Sequence, residues 1–182
     1  MDQEIFTSYY PSPIGILKIK FSVDTIKKIK FIEQGINNDI ECNGLKYSKE
    51  IRNTYNLIYD QLNEYFTGQR KKFQLPISIE GTEFQKKVWS YIEQIPYGEV
   101  KTYQEIAGEI GHKNSVRAVG NACGENPLLL VIPCHRIVRS DGTTGGYAGD
   151  NYRKQWLLQH EKKYEKEQNR FAEGKLIVNR QN

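Results

Sequence analysis

The stretch Thr102-Tyr103-Gln104-Glu105-Ile106-Ala107-Gly108-Glu109-Ile110-Gly111-His112-Lys113-Asn114-Ser115-Val116-Arg117-Ala118-Val119-Gly120-Asn121-Ala122-Cys123-Gly124 reads as two short helices joined by a glycine-containing turn. Thr102 and Glu105 form a capping box, in which each side chain takes a free N–H at the helix start. This first helix runs out between Gly108 and Gly111. A second opens at Asn114 or Ser115 and closes near Gly124. Two short helices so joined predict a helix-turn-helix. In the second, Arg117 is the one charge among Val116, Ala118, Val119, Gly120, Ala122 and Cys123. Glycine inside a helix costs about 1 kcal/mol relative to alanine. Gly120 therefore marks either close packing on a neighbour or a surface smooth enough to lie against a duplex.

Towards the N-terminus, Thr82-Glu83-Phe84-Gln85 is another capping box. It opens a helix with Phe84, Val88, Tyr91, Ile92 and Ile95 on one face, broken by Pro96-Tyr97-Gly98. Before residue 82 the pattern is different. Ile5 to Tyr10, Gly15 to Phe21 and Thr25 to Glu33 alternate like strands, with turn signals at Pro11-Ser12-Pro13 and Val23-Asp24. Residues 48–66 place Ile51, Tyr55, Ile58, Leu62 and Phe66 at helical spacing. Gly68 closes that helix, and a basic, proline-containing link runs from Gln69 to Pro76. The expected fold is α/β: a small antiparallel sheet with a covering helix, then a mostly helical part with the helix-turn-helix, an apolar strand and a hairpin. The expected divisions are 1–81, 82–161 and a charged extension, 162–182.

Composition narrows the function classes. The chain has 182 residues, 26 basic and 22 acidic side chains, 38% hydrophobic residues and three cysteines. Its mean hydropathy is −0.67. The most apolar run, Leu128 to Ile132, is far short of the roughly 20 residues of a membrane helix. Met1-Asp2-Gln3-Glu4 is acidic with no apolar signal region behind it, so the expectation is a soluble chain in the cytoplasm, or the nucleus of a eukaryote. Residues 1–81 carry 11 basic and 10 acidic groups, 82–161 carry 9 and 9, and 162–182 carry 6 and 3. The positive excess sits in a solvated tail, and bulk charge alone does not indicate a nucleic-acid partner. Cys42, Cys123 and Cys134 form no CxxC pair, which argues against a disulfide scaffold. Residues 1–81 hold Cys42 and no histidine, while His112, His135 and His160 lie later, so no zinc site is expected. Neither GxGxxG nor GxxxxGK[ST] occurs, and no cofactor is expected.

The stretch that carries chemistry is Asn126-Pro127-Leu128-Leu129-Leu130-Val131-Ile132-Pro133-Cys134-His135-Arg136-Ile137-Val138. A free thiol has a pKa of about 8.5, and a histidine able to take its proton raises the reactive thiolate fraction. Neighbouring side chains on a strand face opposite ways. Contact between Cys134 and His135 therefore needs a bent backbone or a bridging water. The histidine also needs a third group to fix its tautomer, and Glu161 at the end of Trp156-Leu157-Leu158-Gln159-His160-Glu161 is one candidate. On spacing alone, an inert buried cysteine remains the alternative.

Pro133-Cys134-His135-Arg136 after an apolar run resembles the acceptor site of the O6-alkylguanine-DNA alkyltransferases. Tyr97-Gly98-Glu99-Val100-Lys101-Thr102-Tyr103, Arg117-Ala118-Val119-Gly120-Asn121-Ala122, Asn126-Pro127, Gly145-Gly146-Tyr147-Ala148-Gly149 and Trp156 to Glu161 are similar to that family in the same order. The resemblance implies a ribonuclease H-like N-terminal domain and a winged-helix-like DNA-binding element. It implies single-turnover transfer of an alkyl group from O6-alkylguanine, and from O4-alkylthymine, in double-stranded DNA to Cys134. His135 would act as base through a water and Glu161 would orient it. Asn126 would be the hinge asparagine, and Arg117 would fill the gap left by the flipped nucleotide. Tyr103 would turn the 3′ phosphate and protonate the leaving guanine. Ala118 and Gly120 would permit close approach to the minor groove, while Tyr147, Ala148, Val131 and Leu129 would line the pocket. Some members have Ser in place of Ala148 and Pro in place of Leu129. The resemblance further implies a monomer without metal or membrane. Two other classes stay open: a thiol hydrolase using Cys134 and His135, and a non-catalytic lesion-binding module like the relatives that lack the acceptor cysteine.

Overall fold

The computed structural model describes residues 4–32 and 48–178, with the side chains of the last helix described to residue 167. Cys42 and Glu33 lie outside the described residues. Three strands, β1 (Phe6–Ser12), β2 (Gly15–Phe21) and β3 (Ile26–Phe31), form an antiparallel sheet in that order. β1 runs two residues further than the alternation predicts, through Pro11 and Ser12. β1 is an edge strand, where a residue without N–H is tolerated. The turn is therefore Pro13-Ile14, tied by the Ser12 hydroxyl, which donates to the Gly15 carbonyl at 2.5 Å.

Helix α1 (Lys49–Phe66) buries Tyr55, Ile58, Leu62, Tyr65 and Phe66, the apolar face expected for residues 48–66. It packs on the inner side of the sheet: the Tyr59 hydroxyl donates to the Tyr9 carbonyl and the Tyr10 ring lies 5.0 Å from Tyr59. Gly68 ends α1 with φ +75, and a Cβ there would stand 2.1 Å from the Tyr164 ring. Only glycine meets both demands.

Helix α2 (Glu83–Glu93) starts at the Thr82/Gln85 capping box. A two-residue strand β4 (Lys101–Thr102) leads into α3 (Tyr103–Glu109), which starts at the Thr102/Glu105 box. Gly111, at φ +79, turns the chain into α4 (Val116–Gly124). The Trp89 indole donates to the Ala122 carbonyl at 2.8 Å and fixes α4 on α2. The expected hairpin is replaced by a parallel pair, Lys101 with Ile137 and Thr102 with Val138, where β5 (Ile137–Val138) meets β4. Helix α5 (Asn151–Val178) is the last described element and prolongs the Trp156-to-Glu161 segment.

The two halves meet along the free edge of β3. Ile29 donates its N–H to the Pro127 carbonyl at 2.9 Å, and Leu129 donates to the Ile29 carbonyl at 3.0 Å. The sheet thus receives the segment that precedes Cys134 as a partial fourth strand. The outer face of the sheet sets Lys18 opposite Lys30 and Lys20 opposite Lys28. Like charges placed directly across a sheet destabilise it. Lys28→Glu is expected to raise unfolding stability by about 0.2–1 kcal/mol, read as a higher urea midpoint at an unchanged slope.

Candidate active site

The apolar run is not the strand its composition suggests. Leu128 bridges Ile29, Leu129 bridges Ile132, and Leu130 sits between them at φ +74. The Ile132 N–H returns to the Leu128 carbonyl at 2.9 Å, closing a tight loop. A wholly apolar run lacks the period that separates a strand from other buried backbone. Pro127 and Pro133, each without an N–H, bound this one. Beyond Pro133, Cys134–Arg136 form one turn of 3-10 helix. Cys134 and His135 therefore lie on a bent backbone and not on an extended strand.

Asn126 is fully buried and holds the loop in shape. Its Nδ2 donates to the Ile132 carbonyl at 2.8 Å and to Cys134 Sγ at 2.9 Å, while Oδ1 accepts the Leu128 N–H at 2.9 Å. Cys134 is 1% exposed. Against the next two residues of that turn, Glu161 of α5 gathers five hydrogen bonds. Oε1 accepts from Tyr65 Oη at 2.8 Å, His135 Nε2 at 2.8 Å and Arg136 Nη2 at 2.9 Å. Oε2 accepts from Arg136 Nε at 2.9 Å and the Gly98 N–H at 3.0 Å. Arg136 Nη1 also donates to the Ile95 carbonyl at 2.6 Å.

These contacts fix the charges. Burial alone would raise the Glu161 carboxyl, but His135 and Arg136 override it and hold the group well below its usual range. Burial lowers the His135 imidazolium, against the pull of Glu161. The pair is thus an ionised carboxylate and a neutral imidazole, with Arg136 balancing the carboxylate charge. An ionised carboxylate only accepts, so His135 carries its proton on Nε2. His135 Nδ1 is left as a buried nitrogen with no hydrogen-bond partner. Burial pushes the Cys134 thiol up to about 11, opposed by the Asn126 amide, Lys154 and Lys30.

A cleft of about 490 Å³ opens beside α4, lined by Tyr103, Arg117, Gly120, Gly146, Tyr147 and Ala148 among others. Arg117 and Ala118 are exposed on α4 and Gly120 is half-buried. A Cβ on Gly120 would meet nothing nearer than the Tyr103 ring at 3.9 Å, so this glycine is not forced by packing within the chain. Tyr147 also stands edge-on to the His135 ring at 6.3 Å. The structure brings Tyr103, Arg117, Gly120, Tyr147 and Ala148 to one opening, while Cys134, His135, Asn126 and Glu161 lie buried. Leu129 and Val131 do not line the cleft. Leu129 is fully buried, and Val131 borders a small cavity with Lys71, Lys72 and Phe73.

Three residues escaped sequence reasoning. Arg136 lies in the acceptor stretch, where local pattern assigns it no role. Tyr65 reaches Glu161 from 96 residues away, a separation that leaves no local signal. Lys154 is fully buried, donates to the Gly146 carbonyl at 3.2 Å and lies 5.7 Å from the centre of the Tyr103 ring. Burial pushes its ammonium down to about 8. A signal existed here, because Lys154 shares helical spacing with Leu157 and Glu161, both buried. The Tyr103 hydroxyl donates to the same Gly146 carbonyl at 3.1 Å, and burial pushes it up to about 12. Cys123 is buried on the inner face of α4, as its position in the sequence suggests, and burial raises its thiol strongly. Among the described residues no group of three or more His, Cys, Asp or Glu is placed to hold a metal ion, and no helix is long and apolar enough to cross a membrane.

Two family models match this chain: the ribonuclease-like domain of 6-O-methylguanine DNA methyltransferase over residues 5–79 and its DNA binding domain over residues 83–163. A methylated-DNA–protein-cysteine methyltransferase of Methanosarcina barkeri is 39% identical over 150 residues, 82% of this chain and 92% of the relative. The constitutive enzyme of that name from Bacillus subtilis is 40% identical over 147 residues, 78% of this chain and 87% of its own. A crystal structure of Mycobacterium tuberculosis OGT in complex with DNA superposes with a TM-score of 0.75 at 34% identity, covering 87% of this chain and 93% of that one.

The carboxylate cluster makes a prediction of its own. Glu161→Gln leaves the Arg136 charge buried without its counter-charge, and a loss of about 3–5 kcal/mol is expected. The depressed Glu161 carboxyl contributes stability above its usual value of 4.5 that is lost as pH falls below it. Urea unfolding at a series of pH values should show this acid-side loss in the wild type and a weaker one in Glu161→Gln.

Proposed function

Since the chain belongs to the 6-O-methylguanine DNA methyltransferase family, we propose that Cys134 is the cysteine that accepts the alkyl group. The activity is that of a methylated-DNA–protein-cysteine methyltransferase, a DNA-binding protein that repairs DNA by direct reversal, moving the alkyl group to a cysteine. One observation carries the assignment to Cys134: its sulfur accepts a hydrogen bond from Asn126 at 2.9 Å, beside a histidine tied to a buried carboxylate.

The substrate is O6-alkylguanine, and also O4-alkylthymine, in double-stranded DNA. The lesion is buried in the duplex and must be flipped out at a cost of a few kcal/mol, least for a base that has lost normal pairing. Arg117 fills the vacated place in the stack, and the small surface of α4 at Ala118 and Gly120 lets the helix approach the minor groove. Tyr147 and Ala148 receive the flipped base at the cleft. The thiol proton passes through a water to His135 Nδ1, whose Nε2–H is held by Glu161. Sulfur attacks the alkyl carbon, the C–S bond forms, the C–O bond breaks and its electron pair goes to the guanine. Tyr103, kept protonated by its burial, supplies the proton that restores neutral guanine. The thioether product has no comparable leaving group, so each molecule acts once.

In this reading residues 1–81 form the supporting domain, 82–161 bind and react, and 162–182 are a charged extension, described as helix through Val178. The protein works as a monomer in the cytoplasm, without metal or cofactor. A thiol hydrolase would leave Arg117 and Tyr103 without a task, and a lesion-binding module would not need Cys134.

Intact mass and peptide mapping after incubation with a duplex carrying one O6-methylguanine test the assignment. One methyl group should appear on Cys134 and saturate at one per protein, and Cys134→Ser should bind the duplex and gain none. Transfer to another residue, or turnover of an ester by the unmodified protein, would overturn it.

A further inference from the structure

Tyr65 is the penultimate residue of α1 and is fully buried. It belongs to the sheet-bearing half, yet its hydroxyl reaches into the reactive half and donates to Glu161 Oε1 at 2.8 Å. Its ring is held on several sides, by Phe66 and Phe73 at 5.3 Å, His160 at 5.6 Å and Tyr97 at 6.0 Å. The phenol therefore cannot turn away from the carboxylate without disrupting that aromatic cluster. Burial and the Glu161 charge keep it protonated, so it is a permanent donor.

The oxygen that Tyr65 reaches is the one that His135 Nε2 reaches, also at 2.8 Å. We propose that Tyr65 is a positioning residue for alkyl transfer, its phenol sharing Glu161 Oε1 with His135 and so setting the orientation of the imidazole and the strength of its bond to the carboxylate. This rests on the reading of His135 as the base that relieves Cys134 of its proton. Every donor on Oε1 draws off negative charge that would otherwise stabilise an imidazolium. The other groups around the ring are Arg136 in the same turn, Lys154 and Glu161 on α5, Cys134 beside it and Tyr147 from the cleft loop. Arg136 and Lys154 disfavour the imidazolium and Glu161 favours it. Tyr65 moderates Glu161, the one strong opposing influence. The N-terminal domain thereby reaches the His135–Glu161 pair through the Tyr65 hydroxyl.

The test is the pH dependence of single-turnover methyl transfer from an O6-methylguanine duplex, measured for the wild type, Tyr65→Phe and Phe73→Leu. Loss of the phenol should strengthen the His135–Glu161 pair and move the acid limb of the rate profile up by about one pH unit, the size of one lost hydrogen bond to a charged group. Phe73→Leu loosens the packing around the Tyr65 ring but keeps the hydroxyl, and its acid limb should stay in place. If Tyr65→Phe does not fold, 3-fluorotyrosine at residue 65 is a stronger donor and should move the limb the other way. An acid limb unmoved by these changes, or moved equally by Phe73→Leu, would reduce Tyr65 to a packing residue and overturn the proposal. Failure of the wild type to methylate Cys134 would instead remove the reading on which the proposal depends. The two failures are thus separable.

Discussion

A single buried carboxylate organises this molecule. Glu161 takes hydrogen bonds from α1, from the Gly98 turn that follows α2 and from two residues of the Cys134–Arg136 turn. An unpaired carboxylate at this depth would cost several kcal/mol or lose its charge. The paired guanidinium of Arg136 prevents both outcomes. His135 and Arg136 both hold the carboxylate ionised, and Arg136 carries a permanent charge, so the pairing does not depend on a charged imidazole. Burial favours the neutral imidazole, with Nε2 donating and Nδ1 without a hydrogen-bond partner, which is the state the proposed base role requires. In that reading, electrostatic balance and readiness for proton transfer come from the same cluster.

In the proposed reading the same arrangement separates recognition from reaction. Arg117 and Ala118 stand exposed on α4, whereas Cys134 is closed off behind the loop that Asn126 braces. The cleft between these regions is bordered by Tyr103 and Tyr147, the latter also standing against the His135 ring. Lys154 and Tyr103 converge on the Gly146 carbonyl and fix the loop that forms the cleft wall. The sheet contributes by accepting the Pro127–Leu129 segment along the edge of β3. In this way, a domain with no residue at the cleft opening sets where the acceptor turn begins.

What the sequence made legible follows the range of each interaction. Both capping boxes are contacts within four residues, and both helices begin where Thr82/Gln85 and Thr102/Glu105 place them. The β2 strand and the α1 helix follow from their periodicity. Leu128 to Ile132 has no periodicity, and its closure into a loop depends on Asn126 and on the β3 edge, neither visible in the run itself. Pro11 read as a turn because its place at the sheet edge is a tertiary fact. Within the candidate site, Cys134, His135, Asn126 and Glu161 were named from local pattern and resemblance, and they meet in space. Tyr65 could not be named, because its value lies wholly in a contact across 96 positions.

The most direct test of this account is the protonation state of His135 in the free protein, read from imidazole nitrogen shifts by two-dimensional NMR near neutral pH. The account predicts a neutral ring with the proton on Nε2 and a bare Nδ1, held in that form by the ionised Glu161. An imidazolium, or a neutral ring protonated on Nδ1, would contradict it, because neither leaves a lone pair on Nδ1 to accept the proton of Cys134.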